Sequence, residues 1–298
     1  MRLCEGRIAI VTGAGRGVGR AHALMLAGHG AKVIVNDLGA TLQGEGNDPT
    51  PAAEVVGLIR KNGGDAVANG DDVSNWEGAR RLVAHAVDTY GGLDVLVNNA
   101  GILRDRFLTN MTEDEWDAVV KVHLKGTFAP MRHAIEHWRA RQKLTGEPVN
   151  ARIINTTSIS GLFGNPSQAN YGAAKAGVAA LTIIAARELG RLGVTCNAIS
   201  PFAMTRMTEG LGQITPEQRR LGDPANNSPV VAWLASTDSQ DITGRIFRIG
   251  SGFVSVMEGW ENGPRFDPID DPAALGAVIR THIAKARKNT GPKGTPLD

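Results

Sequence analysis

Ile8-Ala9-Ile10-Val11-Thr12-Gly13-Ala14-Gly15-Arg16-Gly17-Val18-Gly19 runs from a short apolar segment into closely spaced glycines. Its first five residues form a short, mostly apolar run of the kind found in strands that are covered on both faces. Glycines then alternate with other residues, and a helical pattern begins directly behind them, over Gly17–Gly28. Glycine lets the backbone turn tightly and come close to a pyrophosphate, which the free N–H groups of a helix N-terminus attract. Strand, turn and helix together read as the opening of a dinucleotide-binding unit. Glycines that serve only strand–helix packing would give the same letters. The surrounding rhythm argues against that.

Outward from this stretch, β-branched runs alternate with helical patterns. Strands are expected at Lys32–Asn36, Ala66–Asn69, Asp94–Val97, Arg152–Thr157, Val194–Ile199 and Arg245–Ile249. Helices are expected at Pro51–Asn62, Asn75–Tyr90, Glu113–Arg141 and Asn170–Gly190. Such alternation builds βαβ units and a parallel sheet. The expected architecture is a single Rossmann-type doubly wound α/β domain over residues 1–258, with a seven-stranded parallel sheet and helices on both faces. Residues 259–298 are polar and proline-rich, and read as a C-terminal extension that is not an independent domain. One helix is expected in it, Pro272 to Lys288, because a proline suits a first helical turn. Leu38 to Thr50, rich in Gly, Asn and Asp, reads as a loop.

With 298 residues, 42% hydrophobic and 21% charged, the chain can bury a full core, which excludes overall disorder. The balance of 32 basic and 30 acidic residues gives no basic face for nucleic acid, so a small-molecule partner is expected. The two cysteines, Cys4 and Cys196, do not make a disulfide framework. The longest apolar stretch, Gly177 to Ala186, is about half the ~20 residues that cross a bilayer, so no membrane partner is expected. The histidines form no ligand-like cluster and no metal is expected. His133 and His137, one helical turn apart, read as surface residues.

Gly13, Arg16, Gly17, Val18 and Gly19 are the candidate contacts to a dinucleotide phosphate. Asp37 ends the second strand, where a carboxylate can accept from the adenosine ribose and would repel a 2′-phosphate. Arg16 is the opposing cue, because a guanidinium there could pair with that phosphate. Asp37 favours NAD, since a loop arginine can equally swing into solvent. Asp72 and Val73, after the third strand, are candidates for the adenine; Asp71 or Asp72 could instead cap the next helix. Asn99, Ala100 and Gly101 follow the fourth strand at the same sheet edge. Asn98 and Asn99 could equally be amides tying strands together.

Ser158 ends the fifth strand, and Tyr171 and Lys175 lie four apart on the helix that follows, so they share a face. An ammonium close to a phenol favours the phenolate, which would make Tyr171 a usable acid and base near neutral pH. Ser158 could hold a carbonyl oxygen beside it. Alone, each residue reads as packing, a solvated cation or a turn former. Together, at the edge that carries the glycine turn, they read as a catalytic set.

The ordered motifs Thr-Gly-x-x-x-Gly-x-Gly, Asn-Asn-Ala-Gly and Tyr-x-x-x-Lys with an upstream Ser resemble those of the short-chain dehydrogenases/reductases, over roughly Glu5 to Gly252. By that resemblance Tyr171 exchanges the proton, Lys175 also binds the nicotinamide ribose, Ser158 positions substrate, and Pro201 and Thr205 contact the nicotinamide. Within the family, the segments Asn36–Gly39, Asn99–Arg106 and Gln168–Tyr171 resemble the (3R)-hydroxyacyl-CoA dehydrogenase modules of peroxisomal multifunctional enzymes of type 2. That resemblance implies NAD as cofactor and an acyl-CoA thioester as substrate, and places the chain in lipid metabolism. Reduction of a 3-oxoacyl carrier protein or a steroid ketone is the rival within the fold, and a non-catalytic NAD-sensing protein the rival outside it. Many family members carry Asn where this chain has His123, which reads either as a relay group or, more commonly for a lone helical histidine, as packing. The helices from Glu113 and Asn170 carry apolar faces, so a homodimer or homotetramer is expected. Pro296-Leu297-Asp298 is not a peroxisomal address, so cytoplasm is the expected compartment.

Overall fold

A computed structural model describes residues 2–204, 215–291 and 295–296 of the chain. Strand β1 (Ile8–Thr12) runs through the glycine turn into α1 (Gly17–Gly28), and β2 (Lys32–Asn36), α2 (Thr50–Lys61), β3 (Asp65–Asn69), α3 (Trp76–Tyr90) and β4 (Val95–Asn98) continue the alternation. Next come α4 (Glu113–Val120), α5 (Gly126–Thr145), β5 (Ala151–Thr156), α6 (Ile159–Phe163), α7 (Ala169–Leu189) and β6 (Val194–Ser200). The described chain ends with α8 (Pro216–Leu221), α9 (Ser228–Ala235), β7 (Ile246–Gly250), β8 (Phe253–Val256) and α10 (Pro272–Lys285).

The sheet order is β3-β2-β1-β4-β5-β6-β7-β8, parallel from β3 to β7. Chain direction away from the centre reverses between β1 and β4, and a doubly wound sheet opens its ligand crevice at the carboxyl ends there. Side chains alternate across each strand. Val11, Val33, Val35 and Val97 pack with Leu26, Val55, Ile59 and Leu234 on the face that carries α1, α2 and α9. Ile10, Ile34, Leu96 and Ile153 pack with Leu82, Met131, Trp138 and Leu189 of α3, α5 and α7 on the other. Trp138 is fully buried and its indole N–H donates to the Leu93 carbonyl at 2.7 Å, so its apolar body enters the core with no orphaned donor.

Two details differ from the sequence reading. The sheet has an eighth strand, β8, antiparallel to β7 across Ser251-Gly252, with Gly252 at φ +88. A two-residue turn of this kind suits glycine, which adopts positive φ without strain. The helix expected over Glu113–Arg141 is interrupted by a π-helical turn at Lys121–Lys125. There one extra residue enters the screw, so α4 packs on α7 while α5 packs on α3.

Candidate active site

β1 ends in Thr12, whose hydroxyl accepts from the Asn99 and Ala100 N–H groups at 2.9 and 3.1 Å. Asn99 returns its side-chain amide to the Thr12 and Gly13 carbonyls at 3.0 and 3.1 Å, which locks the ends of β1 and β4 together. That contact leaves no room for side chains: a Cβ on Gly19 would fall 2.2 Å from the Gly13 carbonyl oxygen, and one on Gly13 would fall 2.7 Å from the Ala100 Cα. Gly13 and Gly17 also hold φ of +62 and +54. α1 starts without a side-chain cap and without an acidic residue in its first turn. Its first N–H groups therefore meet no competing carboxylate, and the dipole favours an anion.

A cleft of about 630 Å³ opens beside this turn. Gly13, Arg16, Gly17, Val18, Gly19, Asp37, Asp72, Val73, Asn99, Ala100, Gly101, Tyr171, Lys175 and Pro201 all line it. Ser158 is not among the residues that line it, but its side chain acts on the Tyr171 hydroxyl and favours the phenolate. Thr205 lies outside the described residues. Asp37 is held by two N–H groups, from Gly15 and from Gly39, each at 2.7 Å to a different carboxylate oxygen. Asp72 lines the cleft while one of its oxygens caps Ser74 at 2.8 Å. Asp71 also lines the cleft, but its carboxylate pairs with Arg81 at 2.6 Å. Asn75 caps α3, and Asn98 bridges β4 to β5 through Asn155 at 2.9 Å.

Lys175 is 3% exposed; its ammonium donates to the Thr156 carbonyl at 2.6 Å and sits 5.6 Å from the Tyr171 ring centre. Burial strips its hydration and lowers its pKa to about 7. The expectation of a phenol acidified by this ammonium is corrected here. Burial raises the Tyr171 hydroxyl above its ordinary value, the hydrogen bond from Ser158 pulls it back, and Asp105 adds to the rise. With the ammonium beneath the ring and bonded to a carbonyl, it does not offset that desolvation. The ordinary charge state of Tyr171 in this structure is the neutral phenol.

His123, left open by the sequence, lies in the π-helical turn, 2% exposed and edge-on to Tyr171 with ring centres 5.0 Å apart. Its Nε2 lies 2.7 Å from the Ile102 carbonyl oxygen, while Nδ1 is buried with no partner among the described residues. Burial, and then the Lys175 charge, lower its pKa to about 3, so the ring is neutral. Gly101 makes space for it, since a Cβ there would stand 2.3 Å from His123 Cε1. His133 is buried rather than at the surface, its ring centre 4.5 Å from that of Trp76 and tilted to it by 59°. The sequence reading also missed Leu38, Ala40, Thr41, Leu42 and Gly44, which line the cleft from the loop after β2. Their loop composition was visible, but not where the loop lies.

A glycine cradle at a helix start, an anchored carboxylate and a proton-bearing phenol over a buried lysine share one crevice, and the residues fit a nicotinamide dinucleotide. Such a fold and site define a dinucleotide-dependent oxidoreductase that acts on CH–OH groups. Residues 7–218 match the family model for short chain dehydrogenases, and the chain belongs to that family. It is 42% identical over 289 residues to a hydroxyacyl-CoA dehydrogenase of Mycobacterium tuberculosis, covering 94% of this chain and 89% of that protein. It is 40% identical over 277 residues to the peroxisomal multifunctional enzyme type 2 of Mus musculus, covering 93% of this chain but 34% of that longer protein. The crystal structure of a short chain dehydrogenase from Mycobacterium avium superposes with a TM-score of 0.87 at 48% identity, covering 97% of this chain and 98% of that one. Among the described residues, no helix is long and apolar enough to cross a membrane.

Proposed function

We propose that this protein is an NAD(H)-dependent dehydrogenase that interconverts (3R)-3-hydroxyacyl-CoA and 3-oxoacyl-CoA thioesters. The observation that carries the reading is the Tyr171 side chain, its ring centre 5.6 Å from the buried Lys175 ammonium, in the same cleft as the glycine turn and Asp37. A bound nicotinamide supplies the hydride acceptor. In the reducing direction the neutral Tyr171 phenol gives its proton to the substrate carbonyl oxygen, and in the oxidising direction its phenolate form takes that proton back from the hydroxyl, while Ser158 holds the same oxygen and Lys175 holds the nicotinamide ribose. Asp37 supports NAD, because its fixed carboxylate repels a 2′-phosphate. The thioester is supported by the relatives, two of which are named for hydroxyacyl-CoA or multifunctional peroxisomal chemistry.

In this reading residues 1–258 are the catalytic unit and 259–298 an extension, consistent with tail contacts such as Phe266–His282 and Arg287–Glu261 within residues 259–298. A homodimer or homotetramer is supported by Trp116, Phe128 and Ile184, large apolar side chains left exposed on α4, α5 and α7. Cytoplasm is supported by two buried cysteines that form no disulfide. The test follows absorbance of the reduced cofactor while (3R)- and (3S)-hydroxyacyl-CoA are offered with NAD or NADP. Reduction of NAD with the (3R) thioester is expected. Turnover confined to 3-oxoacyl carrier protein with NADPH moves the assignment to a reductase, and nucleotide binding without any turnover makes the protein a sensor.

A further inference from the structure

We propose that Asp48 is a cofactor-specificity residue: its carboxylate occupies the Arg16 guanidinium and so denies it to a 2′-phosphate. The proposal rests on the dinucleotide reading above and adds to it a determinant on the loop between β2 and α2.

Arg16 is the basic side chain of the glycine turn, and it lines the cleft. A free guanidinium at that place is a phosphate receptor, and on its own would favour NADP. Its NH2, however, lies 3.8 Å from Asp48 Oδ2. The other oxygen of Asp48 accepts from the Thr50 N–H at 2.9 Å, so the carboxylate is oriented by its own backbone rather than free to rotate. The hydrogen bonds from Thr50, with a smaller contribution from Arg16, hold its pKa below the usual carboxylate range.

The backbone that carries Asp48 is fixed at both ends of the loop. At the base, the Asp48 N–H donates to the Leu38 carbonyl at 3.1 Å, and the chain presses on Gly39 so closely that a Cβ there would fall 1.8 Å from the Asp48 carbonyl oxygen. Gly39, at φ +73, is also the residue whose N–H holds Asp37. Further along, the Leu42 carbonyl accepts from Leu103 N–H and the Gln43 carbonyl from Arg104 Nε, both at 2.9 Å. The loop is therefore strapped from the end of β2 to the segment after β4, and its two acids cannot be moved independently. The loop sets Asp48 against the one guanidinium of the turn, while Asp37 is held at the turn itself by the Gly15 N–H. That balance suits an uncharged ribose hydroxyl better than a phosphate dianion.

The experiment is a double-mutant cycle on the full chain, with dissociation constants of NADH and NADPH measured by titration calorimetry at low salt. Asp48→Asn keeps the oxygen that accepts from Thr50 and removes only the charge. An exposed pair of this kind is weak and screened by salt, so Asp48→Asn is expected to tighten NADPH only about two- to fivefold and shift NADH less than twofold. Arg16→Ala in the Asp48→Asn background is expected to remove the gain. The inference is overturned if Asp48→Asn leaves the NADPH to NADH ratio unchanged, or if the gain persists without Arg16. A wild-type protein that binds neither nucleotide overturns the dinucleotide reading itself, which is a different result.

Discussion

At the amino edge of the sheet, before β1 and in β5, Arg7 and Arg152 are buried at 8% and 1% exposure, while at the carboxyl edge Lys175 is buried at 3%. The arginines donate to carbonyls: Arg7 to Asp94 and Asn150, Arg152 to Ser236 and Ala151. They also share Asp94, whose charge supports both cations against their desolvation. Lys175 has a single carbonyl and a cleft, and its pKa falls to about 7. Two kinds of buried cation thus serve opposite ends. Where several carbonyls and a carboxylate face the cation, burial lowers its pKa only to about 10, as at Arg152, and ties strands together; where one carbonyl and a cleft face it, burial brings the proton near neutral pH, as at Lys175.

The contrast breaks first at Tyr171. Tyr171→Phe removes the group that exchanges the proton and keeps the ring, so kcat is expected to fall by about 10²–10⁴ with the melting temperature unchanged. Full turnover in this variant would remove the carboxyl edge from the chemistry. The next effect is on stability. Asp94→Ala takes away the acceptor of the Ile8 N–H, at 3.0 Å, and the counter-charge of both arginines. It is expected to cost about 1–3 kcal/mol in chemical denaturation, while KM and kcat of the folded protein stay as they were. A loss of kcat without a loss of stability would contradict a purely structural amino edge.

The smallest effect has the opposite sign. Because folding lowers the pKa of Lys175 from 10.5 to about 7, the unfolded chain holds the proton more tightly and the native state is penalised wherever Lys175 must be charged. The penalty is full below about pH 7 and fades as pH rises to 10.5. Lys175→Met is therefore expected to be inactive yet to melt about 2 °C or more higher than wild type at pH 6.5. The gap should narrow as thermal scans are repeated toward pH 10. A variant that melts lower at every pH would show that the ammonium is structural, like the arginines.

What could be read in the sequence followed linear spacing. The glycines of residues 13–19, the carboxylate at Asp37 and the four-residue step from Tyr171 to Lys175 each sit within one strand–turn–helix unit, so local geometry brought them to one edge. β8 was missed although Ser251-Gly252 before an alternating Phe253–Val256 is a hairpin signal. The environment of Tyr171 could not be read from spacing because the ring of His123 beside it, the Ser158 side chain and the Asp105 charge come from different segments. The loop that lines the cleft with Leu38 to Gly44 could not be placed either, as its anchors at Leu103 and Arg104 lie some 60 residues away.

The π-helical turn at Lys121–Lys125 also separates two jobs that one continuous screw could not do together. A regular α-helix advances about 100° per residue, so the inserted residue resets the azimuth between α4, seated on α7 beside the cleft, and α5, seated on α3 in the core. A one-residue deletion there would smooth the cylinder and still swing one of those two faces away from its seat. Substitutions in α4 can thus retune the crevice wall without unscrewing the layer that holds Trp138.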